Sequence, residues 1–118
     1  MSATMEGYLR VGTLNGVKIR PRTVKIDEGR SIAVFYHNGE VYAVENRCPH
    51  VGYPLETGSV RNGVLTCMWH QARFELATGN SLDPSIEDID TFPVTIVEGE
   101  VWVNPVPRPQ SETTNSPS

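Results

Sequence analysis

The 118-residue chain has only two cysteines, Cys48 and Cys67. They allow one disulfide by number, and a reducing compartment disfavours even that one. No apolar run approaches the roughly 18 residues that a membrane span needs. Residues 1–7 hold neither a basic start nor an apolar stretch ending in a small-residue cleavage site, so no secretory signal is read there. The expectation is a cytoplasmic chain with no membrane partner. Basic charge is also scarce, with 10 Lys and Arg against 14 Asp and Glu and a formal charge of -4. Nucleic acid is therefore not expected as a partner, because a basic patch normally meets it. The basic residues between Arg10 and Arg30 are spaced through strand-like segments rather than clustered. The length suits one domain.

What is present reads as strand and turn. Tyr8 to Thr13 leads to Asn15-Gly16, a hairpin signal. Thr23 to Ile26 is followed by a turn at Asp27-Glu28-Gly29, and Ser31 to Tyr36 is apolar enough for a central strand. Asn38-Gly39 then reverses the chain into Val41 to Glu45, and Asn62-Gly63 does the same within Val60 to Leu65. Between these hairpins, Cys48 to Gly58 is punctuated by Pro49, Gly52, Pro54 and Gly58 and reads as a loop. Cys67 to Phe74 is a second loop, closed by Phe74-Glu75-Leu76 and a turn at Thr78-Gly79-Asn80. Asp83 to Asp90 holds one helical turn or none. Phe92 to Val97 and Val101 to Asn104 are the last strands. The Pro-rich stretch from Pro105 to Pro109 passes into Gln110 to Ser118, which has no apolar residue to anchor it, so 105–118 is expected to be a disordered tail or the start of a linker. The fold class expected is all-β, a small antiparallel sandwich or barrel over residues 1–104.

Two motifs carry the chemistry: Cys48-Pro49-His50 and, 17 residues after His50, Cys67-Met68-Trp69-His70. Each sits in a loop after a hairpin and supplies one thiolate and one imidazole. Each loop can therefore give one ligand type to each iron of a two-metal unit, thiolates to one and imidazoles to the other. Two ferric ions, two sulfides and two thiolates sum to neutrality, whereas four thiolates leave a charge of about −2. Replacing two thiolates by imidazoles raises the potential from about −400 mV to about −150 to +300 mV. A structural zinc site is the main competitor for a Cys₂His₂ set. Against it, cysteines and histidines alternate here, and the strand content suffices for folding without metal. A single catalytic metal and a coincidental pattern are weaker alternatives.

CPHVGYPLETG followed by CMWHQARFELATG resembles the Rieske family, over roughly residues 8 to 104. The resemblance implies one [2Fe–2S] cluster held by Cys48, His50, Cys67 and His70. It also implies a cluster-binding subdomain at about residues 46–76, inserted in a larger antiparallel β portion. High-potential members carry an extra cysteine in each loop and a serine near the second histidine. Here Gly52, Trp69 and Ala72 stand at those places, which implies the lower end of the Rieske range. Gln71 stands where the family usually has glycine, so the path of the His70 loop is expected to differ slightly.

The resemblance implies a one-electron carrier rather than an enzyme. Its donor would be a flavin or iron–sulfur reductase and its acceptor a terminal oxygenase, both docked transiently, with the carrier a monomer. Two alternatives stay open. The chain is the Rieske subunit or an excised domain of a larger oxygenase or nitrite reductase, or it is a zinc-stabilised β module. Among the other residues, His37 reads as an ordinary surface residue, Phe74 and Phe92 as core, and Pro54 and Leu55 as cover for the cluster. Trp69 and Arg73 are candidates for a docking surface, and Glu45, Glu56 and Glu75 for an acidic rim.

Overall fold

The run Ile32-Ala33-Val34-Phe35 has no polar residue to turn toward water, and its position in the fold explains why. The computed structural model describes residues 7–49, 54–68 and 72–108. Within them lie β1 (Leu9–Thr13), α1 (Leu14–Ile19), β2 (Arg22–Asp27), β3 (Arg30–His37) and β4 (Glu40–Glu45). A 3-10 turn at Leu55–Thr57 follows, then β5 (Ser59–Arg61), β6 (Val64–Thr66) and β7 (Arg73–Glu75). The chain ends its ordered β structure with β8 (Thr91–Phe92), β9 (Val94–Val97) and β10 (Glu100–Val103). Three antiparallel sheets result, with strand orders β1-β10-β9, β2-β3-β4-β8 and β5-β6-β7. The architecture is a β-sandwich with a small third sheet; it does not close into the barrel that strand content alone allowed.

Strand β3 lies at the centre, buried on both faces. Side chains alternate along a strand. Ala33 and Phe35, with Val44 of β4, pack against the small sheet β5-β6-β7 through Leu65 and Phe74. Ile32 and Val34, with Ala43, face the opposite way onto Val101 and Val103 of β10 and Val17 of α1. One sheet therefore separates two apolar cores, and every residue of the run has a core to enter. Ile32, Val34, Val44 and Phe74 are fully buried, and each such side chain contributes about 1.5–3 kcal/mol of burial.

Most turns fall where the sequence put them. Asn38-Gly39 (φ +52° and +84°) and Asn62-Gly63 (φ +54° and +78°) both take the left-handed pair that a two-residue hairpin requires. Asn15-Gly16 does not form a hairpin. Thr13 accepts a hydrogen bond from the Gly16 N–H at 3.0 Å and caps α1 instead. Leu14 and Val17 then turn inward together onto the core beneath. The partner of β1 is β10, from the far end of the domain, so no reversal is needed at Asn15. The stretch from Phe92 to Val97 is also not one strand. Pro93 has no N–H to donate, and the chain changes sheets there: β8 pairs with β4, and β9 with β10. Residues 83–90 form no helix; Asp83 accepts from both the N–H and the hydroxyl of Ser85, and Asp88 accepts from the Ser81 N–H at 2.7 Å. Of residues 105–118, only 105–108 are described, and there the Arg108 N–H donates to the Thr91 carbonyl at 2.8 Å.

The β9–β10 turn places Glu98 at φ +51° before Gly99 at φ +80°. A left-handed conformation costs a residue such as glutamate about 1–2 kcal/mol, and asparagine tolerates it better. Glu98→Asn is therefore expected to stabilise the protein by about 1 kcal/mol, a rise of roughly 4 °C in thermal midpoint. Thermal unfolding followed by circular dichroism checks this, and an unchanged or lower midpoint contradicts the strain assigned to Glu98.

Candidate metal centre

Each cysteine follows the end of a strand. Strand β4 ends at Glu45, and Asn46-Arg47 carries the chain to Cys48; β6 ends at Thr66, directly before Cys67. Both side chains are fully buried, and both belong to one apolar cluster with Leu55, Leu65, Ala72 and Phe74. No disulfide joins them. Exposure then changes within one residue: Pro49 is exposed, and Met68 is 62% exposed. Each loop thus starts from a sulfur in the dry interior and runs at once to the surface.

Hydrogen bonds close the necks of both loops. The Cys67 N–H donates to the Ala72 carbonyl at 2.7 Å, which pinches the second loop at its base. The first loop is closed by a side chain: Asn46 Oδ1 accepts from the Glu56 N–H at 2.8 Å, and Asn46 Nδ2 donates to Glu56 Oε1 at 2.9 Å. The 3-10 turn between Pro54 and Gly58 seats Leu55 in the cluster, held by Gly58 N–H donating to the Leu55 carbonyl at 2.9 Å. Gly58 is required for this path, because a Cβ there would meet the Thr66 backbone oxygen at 2.3 Å.

Of the four expected ligands, the structure brings Cys48 and Cys67 into one cluster, whereas His50 and His70 lie outside the described residues. Gly52, Trp69 and Gln71 also lie outside them. Leu55 is buried in the same apolar cluster as the cysteines, and Pro54 is exposed. Phe74 and Phe92 are core. The acidic rim is largely spoken for: Glu56 is bound by Asn46, and Glu75 accepts from the Thr78 hydroxyl at 2.8 Å. Arg73 is exposed.

His37 is more than a surface residue. It is half-buried, and its Nε2 accepts from the Gly63 N–H at 3.0 Å, tying the β3–β4 hairpin to the β5–β6 turn. Its place beside Asn38-Gly39 gave no sign of a partner 26 residues on. Asn46 likewise gives little sign of its role in the sequence, an amide side chain two residues before Cys48.

Two buried sulfurs at the bases of two surface loops fit an iron–sulfur centre. Thiolates buried in an apolar cluster are stabilised when bound to metal, and each of the two cysteines opens a segment that carries a histidine in sequence. The comparisons with known proteins agree. The Rieske [2Fe-2S] domain family matches residues 9–93. A human Rieske domain-containing protein is 34% identical over 84 residues, covering 68% of this chain and 54% of that protein. The chain thus spans about half the length of that relative. The ferredoxin component of the naphthalene 1,2-dioxygenase/salicylate 5-hydroxylase systems of Ralstonia sp is 35% identical over 86 residues, covering 72% of this chain and 75% of that protein. Among solved structures, a chain from the complex of reduced oxygenase and oxidized ferredoxin of carbazole 1,9a-dioxygenase superposes with a TM-score of 0.80 at 25% identity, covering 87% of this chain and 97% of that one. Sequence and structure are therefore closely related to ferredoxin components of dioxygenase systems. The chain belongs to the Rieske [2Fe–2S] domain family, whose single cluster is the cofactor of this domain.

Proposed function

We propose that this chain carries single electrons from a flavin or iron–sulfur reductase to a terminal oxygenase, with Cys48, His50, Cys67 and His70 as the ligands of its cluster. The observation that supports this best is the juxtaposition of Cys48 and Cys67, both fully buried, at the bases of two loops that reach the surface within one residue. When bound, the cluster supplies one reversible electron and no bond-making chemistry. The protein's part is to keep water from the thiolates with Leu55, Leu65 and Phe74, and to hold the two loops in register through their closed necks. His50 and His70 would supply neutral imidazoles, which raises the potential relative to four thiolates. The exposed Pro49, Pro54 and Met68 leave an apolar surface for brief contact with a partner.

Docking is expected to be transient and salt-dependent, with a monomeric carrier in the cytoplasm. No helix among the described residues is long and apolar enough to cross a membrane. The partner assignment draws on the ferredoxin components to which the chain is similar. Its test is reconstitution with a purified ring-hydroxylating reductase and oxygenase. Addition of NAD(P)H should reduce one cluster per chain, and the oxygenase should reoxidise it. Reduction by the reductase without onward transfer to the oxygenase contradicts the carrier role.

A second reading is favoured by one observation, the half-length coverage of the human relative. The domain would then be the Rieske portion of a larger oxygenase or nitrite reductase. The mass of the protein detected in its native cells separates the two.

A further inference from the structure

The two cluster loops are closed in different ways, and the difference has a consequence for the cluster. The second loop is pinched by the backbone alone, through the 2.7 Å bond between the Cys67 N–H and the Ala72 carbonyl. The first depends on one side chain. Asn46 accepts from the Glu56 N–H at 2.8 Å and donates to Glu56 Oε1 at 2.9 Å and to Ser31 Oγ at 3.2 Å. Its acceptor and both amide donors are thereby satisfied within the protein. Its own N–H donates to the Ser31 carbonyl at 3.0 Å. One residue thus fastens the outgoing end of the loop to its returning end, ten positions away, and fixes both to central strand β3.

Cys48 lies two residues beyond Asn46, and Leu55, which packs against Cys48, immediately precedes Glu56. The clasp therefore sets the position of a ligand sulfur and of its apolar cover together. The Asn46 N–H is itself spent on the Ser31 carbonyl.

We propose that Asn46, through its clasp on Glu56 and Ser31, is the positioning residue that ties together the two ends of the Cys48 loop and controls how long the cluster survives. The proposal rests on the assignment of Cys48 as a ligand. Removing a group that orients a metal ligand typically costs about 10–100-fold in metal affinity. With the clasp gone, the loop ends gain freedom at little entropic resistance, and water reaches the sulfurs. Solvent there also stabilises the added negative charge of the reduced state, so the midpoint potential should rise.

The test compares wild type with Asn46→Ala, Asn46→Asp and Glu56→Gln. Asn46→Asp keeps the acceptor for the Glu56 N–H but loses both donors and sets a second carboxylate against Glu56. Glu56→Gln keeps the acceptor for Asn46. Three quantities are read: the rate at which visible absorbance bleaches in excess iron chelator, the midpoint potential, and the thermal midpoint. Both Asn46 variants are expected to bleach about tenfold faster, the neutral Asn46→Ala at a raised potential, with Glu56→Gln bleaching close to the wild-type rate. If Asn46→Ala does not fold, Ser31→Ala and Asn46→Asp carry the same comparison. Bleaching and potential unchanged in a folded Asn46 variant overturn the proposal, as does a lower thermal midpoint alone. A wild-type protein that takes up no iron and sulfide overturns the cluster assignment itself, and this proposal with it.

Discussion

Cys48→Ala and Cys67→Ala should each give a folded, colourless protein with no iron–sulfur cluster. Each sulfur is fully buried in the cluster of Leu55, Leu65, Ala72 and Phe74. Alanine there removes one heavy atom from an apolar surround, a packing loss of about 1 kcal/mol. The rest of the two-core fold remains, so the effect on the apo fold is small. With the proposed ligand set the effect on the cofactor is total, because each thiolate would be half of its soft, charged part. Leu65→Ala provides the contrast. It removes a fully buried leucine of the same apolar cluster and should cost about 2–5 kcal/mol of stability, yet it leaves the proposed ligand set intact. At low temperature the Leu65 variant should be brown and fragile, and the cysteine variants colourless and folded. Iron content, visible absorbance and circular dichroism on the same samples measure both properties. A cysteine variant that keeps full iron and colour would remove that residue from the ligand set.

Gly79→Ala should lower stability by at least about 3 kcal/mol, a fall of roughly 10 °C or more in thermal midpoint. Two causes add. Gly79 sits at φ +80°, where any Cβ is strained. Its added Cβ would also lie 2.1 Å from the Ile89 backbone oxygen and 3.0 Å from Thr91 Cγ2. The neighbouring backbone cannot move aside cheaply, because the Ile89 N–H donates to the Gly79 carbonyl at 2.9 Å and Ile89 is core. Gly39→Ala isolates the first cause. Gly39 has φ +84° but nothing within 4 Å of its would-be Cβ, so only the conformational cost of about 1–2 kcal/mol applies. Equal losses at the two positions, measured by urea unfolding, would mean that the contact with residue 89 carries no weight.

What the sequence disclosed followed from locality. Asn38-Gly39 and Asn62-Gly63 are hairpin turns because the required positive φ is a property of those residues alone. The Cys-x-His and Cys-x-x-His motifs, with their flanks, were enough to point to the Rieske family. Local signals failed where distant chain decided. Asn15-Gly16 carries the same dipeptide signal as the true hairpins, but Thr13 caps a helix there because β1 pairs with β10 rather than with the next segment. Pro93 interrupts what reads as one strand, since β4 claims residues before it and β10 those after it. The two-faced burial of β3 could be anticipated as a central strand, but which core each residue enters depends on sheets that form later in the chain. The same holds at the site. The cysteines stand out by type, whereas Asn46 acts only through Ser31 and Glu56, and His37 only through Gly63. A polar residue whose partner is ten or more positions away leaves no periodicity to detect.

The central claim is that Cys48, His50, Cys67 and His70 hold one mixed-ligand [2Fe–2S] cluster. Electron paramagnetic resonance before and after dithionite reduction tests it most directly, with iron and acid-labile sulfide counted on the same sample. The account predicts a silent oxidised state, then a rhombic reduced signal whose average g lies below that of all-cysteine clusters, with two irons and two sulfides per chain. A colourless protein made under iron-replete conditions, holding zinc and no sulfide and giving no reducible signal, would contradict it.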